Sequence, residues 1–220
     1  MNSFMCKNVY LNYYKEKKIS TLKNINIELP NKGIVGIVGA SGAGKSSFLY
    51  SLAGLKNKFI AGDVFYKDFN YTEHKEIEMS KLRKEKFGFI FQKHFLIPYL
   101  TVEENVLVGL NDNNFLSAAH NYLDMLGIGE YKNKKISVLS GGELQRVSIV
   151  RGILHKPTVI FADEPTAALD RDSSKVVMDL LKSISKDALV LVVSHDHDLY
   201  SYFDYKVGFK DGEINLRENI

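Results

Sequence analysis

The amino-acid sequence predicts an α/β protein with a mainly parallel sheet, because three apolar strands alternate with segments of helical pattern. The strands are predicted at 34–38, 158–162 and 189–193, where apolar and mostly β-branched residues follow one another almost without interruption. Such runs are expected for strands that are buried on both faces. Between them, apolar residues recur at helical spacing over 115–126 and over 176–184, and this alternation favours the α/β class.

The stretch from residue 93 to residue 155 contains no comparable strand pattern and reads as mostly helical. We interpret it as a helical subdomain inserted into the α/β core, so that 1–92 and 156–220 form the core itself. A chain of 220 residues is long enough for one large domain. We therefore predict a single domain with one helical insertion.

Composition and charge argue against several classes of function. The 29 basic and 26 acidic residues leave a net charge of +3, which is too weak to predict nucleic-acid binding by itself. The single cysteine, Cys6, excludes a disulfide framework and a four-cysteine zinc site. No apolar run approaches the roughly 18–20 residues that span a bilayer, and the start of the sequence lacks a secretory signal pattern. We expect a cytoplasmic protein that reaches a membrane only through a partner.

A glycine-rich loop follows the strand at 34–38 directly, and residues 46–53 read as the helix that comes next. Glycines let successive N–H groups point at a phosphate, and a helix start adds positive potential. Lys45 is expected to reach the β- and γ-phosphates of a nucleotide, and the Ser46 hydroxyl to ligate Mg²⁺. The alternative is an ordinary turn with a chance lysine. The loop fits G-x-x-x-x-G-K-[ST] with Gly39, Ala40, Ser41, Gly42, Ala43, Gly44, Lys45 and Ser46, and Ser47 completes the predicted binding set.

Two acidic residues, Asp163 and Glu164, follow the strand at 158–162. Ligands in open α/β sheets bind beyond the carboxyl ends of the strands, so both acids are expected beside the glycine-rich loop. Asp163 would bind Mg²⁺ through its waters, and Glu164 would polarise the water that attacks the γ-phosphate. The alternative is that both residues only end a strand in a turn-like Asp-Glu-Pro sequence.

A second candidate phosphate site is the helix start Leu139-Ser140-Gly141-Gly142-Glu143. Ser140 and Glu143 have the spacing of a capping box, which is the structural alternative. Capping does not explain two consecutive glycines, because each costs about 1 kcal/mol relative to alanine within a helix. An unobstructed helix start suits a phosphate. One nucleotide could contact both sites only if two copies of the chain met head to tail.

The motifs 39–46, 139–143 and 159–164, followed by Ser194-His195-Asp196, resemble in this order those of the ATP-binding cassette (ABC) ATPases. The resemblance implies a P-loop NTPase core with an N-terminal antiparallel β region and the helical lobe described above. It also implies an ATPase that uses ATP and Mg²⁺, with His195 as the switch histidine that holds the γ-phosphate and the attacking water.

Further site residues are implied by the same resemblance. Gln92, at the end of Phe87-Gly88-Phe89-Ile90-Phe91-Gln92, matches the glutamine loop, which ligates Mg²⁺ and senses the partner subunit. Asp170 ends a segment that resembles the loop crossing the dimer interface. Tyr13 resembles the aromatic residue on which adenine stacks, and Tyr14 is the alternative.

Within the family, the sequence is similar to the ATPases of macrolide export, lipoprotein release and peptide-antibiotic resistance. This likeness implies an ATP-driven homodimer on the inner face of the membrane, bound to a separate permease through a groove near Gln92 and 95–99. Ala167 and Gly152 depart from the family pattern, which has glycine and alanine at these positions. A DNA-repair ATPase would need a long coiled coil between Gln92 and Leu139, and this segment is far too short for one. A ribosome-associated protein normally carries two cassettes, whereas this sequence has one. Both alternatives are therefore disfavoured.

The remaining histidines have weaker interpretations. His195, Asp196, His197 and Asp198 could be read as a metal cluster, but the resemblance favours the switch role for His195 and leaves His197 without one. No motif surrounds the other histidines, which we interpret as structural: His74, His94, His120 and His155.

Overall fold

Two β-sheets organise the part of the chain that the computed structural model describes, which is residues 3–12, 21–55, 59–110 and 113–220. In these residues the strands are β1 (Phe4–Leu11), β2 (Leu22–Leu29), β3 (Gly33–Gly39), β4 (Phe59–Tyr66), β5 (Phe69–Asn70), β6 (Phe87–Ile90), β7 (Val159–Asp163), β8 (Leu189–Val193), β9 (Tyr205–Lys210) and β10 (Glu213–Asn219). The α-helices are α1 (Lys45–Leu52), α2 (Glu76–Lys86), α3 (Val102–Leu107), α4 (Leu116–Met125), α5 (Gly141–Ile153) and α6 (Arg171–Ile184).

The larger sheet has the order β10-β9-β3-β8-β7-β6, and every pairing in it is parallel except that of β10 with β9. The smaller sheet, β2-β1-β4-β5, is antiparallel. The predicted fold class is confirmed: an α/β core with a mainly parallel sheet and an antiparallel region at the N-terminal end.

The parallel sheet is covered on both faces, which explains its continuous apolar strands. One core lies between the two sheets and includes Phe48 and Leu52 of α1. The other core packs α5 and α6 against the opposite face, through residues such as Val150 and Leu181. The apolar face predicted for the helix over 176–184 wrongly includes Val176, which is 43% exposed.

Strand register brings four chain segments to one edge of the parallel sheet. Ile37 and Asp163 are both paired with Val193, and Ile90 is paired with Ala162. The segments that follow β3, β6, β7 and β8 therefore leave the sheet at the same edge, where ligands bind in such folds.

The described residues between β6 and β7 form helices α3, α4 and α5, three 3₁₀ turns and an isolated bridge from Thr101 to Lys135. α5 lies directly on β6. A Cβ atom at Gly152 would stand 2.6 Å from the Phe89 carbonyl oxygen, and one at Gly88 would stand 2.1 Å from the Gly152 carbonyl oxygen. The glycine inside α5 is thus a packing requirement of this contact.

None of the helices in the described ranges is long and apolar enough to cross a membrane.

Candidate functional site

A cleft of about 900 Å³ lies at the carboxyl edge of the parallel sheet. It is bounded by the glycine-rich loop, the start of α1, the end of β7 and the segment after β8. The cleft contains most of the site residues predicted from the sequence: Gly39, Ala40, Ser41, Gly42, Gly44, Lys45, Ser46, Ser47, Gln92, Asp163, Glu164 and His195. Thr21, His197 and Tyr200 also line it, although the sequence analysis assigns a role in the site to none of them.

The loop between β3 and α1 needs glycine for its backbone. Gly39 and Gly44 have φ values of 141° and 104°, which lie in the region that favours glycine. A Cβ atom at Gly39 would also stand 2.3 Å from the Phe209 carbonyl oxygen. Gly44 caps α1 without any side-chain hydrogen bond, so the first N–H groups of the helix are available to an anion.

Lys45 is buried at the base of this loop, with 8% of its surface exposed. Its Nζ donates to the carbonyl oxygens of Gly39 and Ala40, at 2.8 and 2.9 Å. Because an ammonium group has three donors, one N–H remains for a ligand in the cleft. The loop therefore holds a positive charge at the place where a phosphate would bind.

Asp163 ends β7 opposite the start of α1 and accepts hydrogen bonds from two hydroxyl groups of that helix. Ser46 Oγ donates to its Oδ1 at 2.9 Å, and the Tyr50 hydroxyl donates to its Oδ2 at 2.5 Å. The sequence motifs do not mark Tyr50. The available signal was its spacing of four residues from Ser46, which places both side chains on one helix face.

Glu164 and His195 meet across the ends of β7 and β8. His195 Nδ1 lies 2.7 Å from Glu164 Oε1. Glu164 has a φ of 50°, a strained value for a residue with a side chain, and its backbone N–H donates to the Val193 carbonyl oxygen. The Glu164 side chain is 14% exposed, and that of His195 is 74% exposed. This pair can accept a proton and contact a ligand at the open side of the cleft.

The helix start at Ser140 has the capping box that was the structural alternative for this motif. Glu143 Oε2 accepts from Ser140 N and Oγ at 2.7 and 2.8 Å, and these bonds hold the pKa of Glu143 below its usual value. Gly141 faces open space, whereas a Cβ atom at Gly142 would stand 3.1 Å from the Ala168 carbonyl oxygen. Only Gly142 therefore has a packing reason to be glycine.

Ser140, Gly141 and Gly142 do not line the cleft, and neither does Asp170. Asp170 caps α6, where its carboxylate accepts from Ser173 N and Oγ at 2.9 and 2.8 Å. These hydrogen bonds lower the pKa of Asp170. Within one chain, the two predicted phosphate-binding helix starts thus remain separate.

Several predictions concern residues outside this geometry. Tyr13 and Tyr14 lie outside the described residues. In the described part of the chain, no group of three or more His, Cys, Asp and Glu side chains is arranged to hold a metal ion, which removes support for the cluster interpretation of 195–198. His74 and His155 contact backbone carbonyl oxygens, and His120 bonds to Glu103.

Comparisons with known proteins identify the family of this chain. Residues 22–167 match the family described as "ABC transporter". The chain is 38% identical over 217 residues to the lipoprotein-releasing system ATP-binding protein LolD of Wigglesworthia glossinidia brevipalpis, covering 95% of this chain and 94% of that protein. It is 36% identical over 208 residues to a putative hemin import ATP-binding protein HrtA of Staphylococcus haemolyticus, covering 91% and 93%.

A solved structure shows the same fold. The ATP-binding cassette MJ0796, a protein of Methanocaldococcus jannaschii, was solved as a dimer in a post-hydrolysis state bound to ADP and Pi. It superimposes with a TM-score of 0.90 at 33% identity, covering 98% of each chain. The chain therefore belongs to the ABC transporter family and is one of its ATP-hydrolysing cassettes.

Proposed function

We propose that this chain is the ATPase subunit of a membrane transport system, in which two copies close head to tail around two ATP molecules and act on a separate permease. One observation carries the proposal. The cleft holds the loop, Asp163 and Glu164, whereas the exposed helix start at Ser140 lies elsewhere on the same chain. A second copy can supply that helix start, and the related cassette MJ0796 was solved as a dimer.

A head-to-tail pair with twofold symmetry makes the two composite sites equivalent. Each site would combine the loop 39–46 of one copy with Ser140, Gly141 and Gly142 of the other. Ala168 and Leu169, which directly precede Asp170, are the neighbours of Gly142. In the proposed dimer, the segment 167–170 would therefore lie beside the surface that meets the partner. Loss of the γ-phosphate would then allow the dimer to reopen.

Mg²⁺ is proposed as the ion of this site. Its preferred ligands are oxygens in octahedral arrangement, and the Ser46 hydroxyl, the Asp163 carboxylate and the Gln92 amide all line the cleft. These residues would hold the ion directly or through its waters. When bound, the ion would neutralise charge on the β- and γ-phosphates.

The chain's own residues can perform the other parts of hydrolysis. Lys45 and the start of α1 would hold the phosphates. Glu164 would accept a proton from the attacking water. His195, hydrogen-bonded to Glu164, would contact the γ-phosphate and the same water. Tyr13 or Tyr14 would stack on the adenine.

The proposed permease site is a groove of about 530 Å³ between the α/β core and the inserted helices. Phe89, Phe91, Val108 and Leu110 make it apolar, and Arg83, Lys84 and Arg151 add positive charge. Phe95, whose ring contacts that of Phe91, is 66% exposed, and Tyr99 is 74% exposed. Through this contact the chain would sit at the inner face of the cell membrane.

The domain boundaries fit the same proposal. The core, 1–92 and 156–220, would bind the nucleotide, and the helical subdomain 93–155 would carry Ser140 and one wall of the groove. Closure of the dimer would move this subdomain and so transmit force to the permease.

Co-purification from solubilised membranes tests the proposal. The wild-type chain should retain a multi-span membrane protein, and Val108→Glu should lose it because it places a charge in the groove. Val176→Glu is the matched control, because Val108 and Val176 are 42% and 43% exposed and only Val108 lines the groove. Recovery of DNA or ribosomes in place of a membrane protein would contradict the proposal.

A further inference from the structure

Tyr50 contacts a residue of the proposed magnesium site, although none of the sequence motifs includes it. It lies on α1, four residues after Ser46, so both side chains project from the same face of the helix. The two hydroxyls donate to different oxygens of the same carboxylate: Ser46 Oγ donates to Oδ1 of Asp163, and the Tyr50 hydroxyl donates to Oδ2. Asp163 is thus held at both oxygens by a single helix.

The Tyr50 ring is itself held from the other side. It contacts the ring of Phe91, with centroids 6.0 Å apart and planes inclined at 50°. Phe91 directly precedes Gln92, which lines the cleft. Tyr50 therefore contacts Asp163, shares a helix with Ser46, and packs against the segment that carries Gln92. Asp163, Ser46 and Gln92 are the three residues of the proposed magnesium site.

The orientation of Asp163 depends on these contacts. Only 4% of Asp163 is exposed, so water cannot easily replace a donor that is lost. The terminal torsion of an aspartate side chain is soft, with broad energy minima. Without the Tyr50 hydroxyl, Oδ2 would lose its hydrogen-bond donor. The carboxylate would then be free to rotate out of the orientation in which Oδ1 accepts from Ser46.

We propose that Tyr50 is a positioning residue that fixes the Asp163 carboxylate for magnesium. The inference rests on the magnesium site proposed above, because it assigns Tyr50 a role only through Asp163. Mg²⁺ demands near-ideal octahedral geometry, so a carboxylate free to rotate would hold the ion or its waters less well. Removal of an outer-shell partner typically costs about 10–100-fold in metal affinity.

The test is the magnesium dependence of ADP binding, which does not depend on turnover. The affinity of wild-type protein and of Tyr50→Phe for ADP is measured by titration calorimetry in EDTA and at increasing Mg²⁺. The ring and its contact with Phe91 remain in this variant. We expect the Mg²⁺ concentration at half-maximal effect to rise about tenfold, with an unchanged ADP affinity in EDTA, because the loop 39–46 is intact.

Tyr71→Phe is the matched control. The Tyr71 hydroxyl also donates to α1, at 2.6 Å to the carbonyl oxygen of Leu52, but it does not contact Asp163. This variant should keep the wild-type magnesium midpoint. Equal midpoints in wild-type protein and Tyr50→Phe, or an equal shift in Tyr71→Phe, would overturn the role of Tyr50. An absence of any magnesium effect in the wild type would overturn the proposed magnesium site itself, and the inference with it.

Discussion

His195 Nδ1 lies 2.7 Å from Glu164 Oε1, although the two residues are 31 positions apart in the sequence. They come together because β7 and β8 are adjacent parallel strands that end at the same edge, with Asp163 paired to Val193. Glu164 adopts a φ of 50°, and strain of this kind costs about 1–3 kcal/mol. The surrounding sheet must maintain this conformation, which keeps the carboxylate beside the imidazole at the edge of the cleft.

Two neighbouring histidines line the same cleft, and only His195 contacts Glu164. We predict that His195→Ala lowers the rate of ATP hydrolysis about a hundredfold, the scale of a positioned acid–base group. His197→Ala is the control, because His197 contacts the ring of Tyr200 instead, and it should retain most of the activity. A phosphate-release assay decides the matter, and equal losses in the two variants would argue against a special role for His195.

The composite site makes a second prediction. Ser140→Arg should leave ATP binding by the monomer unchanged, because Ser140 does not line the cleft of its own chain. Hydrolysis should nevertheless fall by at least about a hundredfold, since the bulky arginine would keep the helix start and its N–H donors away from the partner's nucleotide. Lys45→Ala is the contrasting variant and should weaken binding itself. Filter binding and phosphate release measure the two effects, and a parallel fall of both in Ser140→Arg would contradict the head-to-tail arrangement.

The motifs predicted which residues would line the cleft, because each motif has a fixed place relative to a strand end or a helix start. The loop 39–46 and Asp163 each come at the carboxyl end of a strand. Because these strands are parallel, both lie at the same edge of the sheet. Tyr50 could not be predicted in this way, because its bond to Asp163 depends on the distance between α1 and β7. That distance is set by tertiary packing.

Helical periodicity was reliable for the presence of helices and less so for their edges. It predicted a helix over 176–184, found as part of α6, but it placed the exposed Val176 in the buried stripe. The resemblance to the family marked Gly152 only as a departure, because alanine is usual at this position. The reason for that glycine is the backbone of β6, about sixty residues earlier in the chain, which no local pattern can show.

Gly152 supplies a third prediction, on stability. Helix propensity alone says that Gly152→Ala should stabilise α5 by about 1 kcal/mol. The new Cβ would stand 2.6 Å from the Phe89 carbonyl oxygen, so we expect a destabilisation of about 1–3 kcal/mol, as for other overpacked sites. Urea unfolding measures the change. Gly141→Ala, in the same helix but facing open space, is the control, and destabilisation of both variants to the same extent would contradict the packing argument.

Glu164 supplies the last prediction, which separates catalysis from assembly. In Glu164→Gln the amide keeps the shape of the side chain but cannot act as a base, so hydrolysis should fall by at least about a hundredfold. The substitution also removes a negative charge that would repel the γ-phosphate, and this repulsion is stronger where water is excluded. Both effects should therefore cause the ATP-bound dimer to accumulate.

Gel filtration of Glu164→Gln with ATP, with and without Mg²⁺, measures this accumulation beside a phosphate-release assay. Glu164→Gln combined with Ser140→Arg is the control, because it removes the same base but also blocks the surface that should meet the partner, and it should stay monomeric. Hydrolysis near the wild-type rate in the single variant would exclude Glu164 as the base. An inactive variant that stays monomeric would keep the base assignment and contradict closure driven by ATP alone. The membrane partner would then have to hold the two copies together, because nothing else in the proposed cycle brings Ser140 to the second nucleotide.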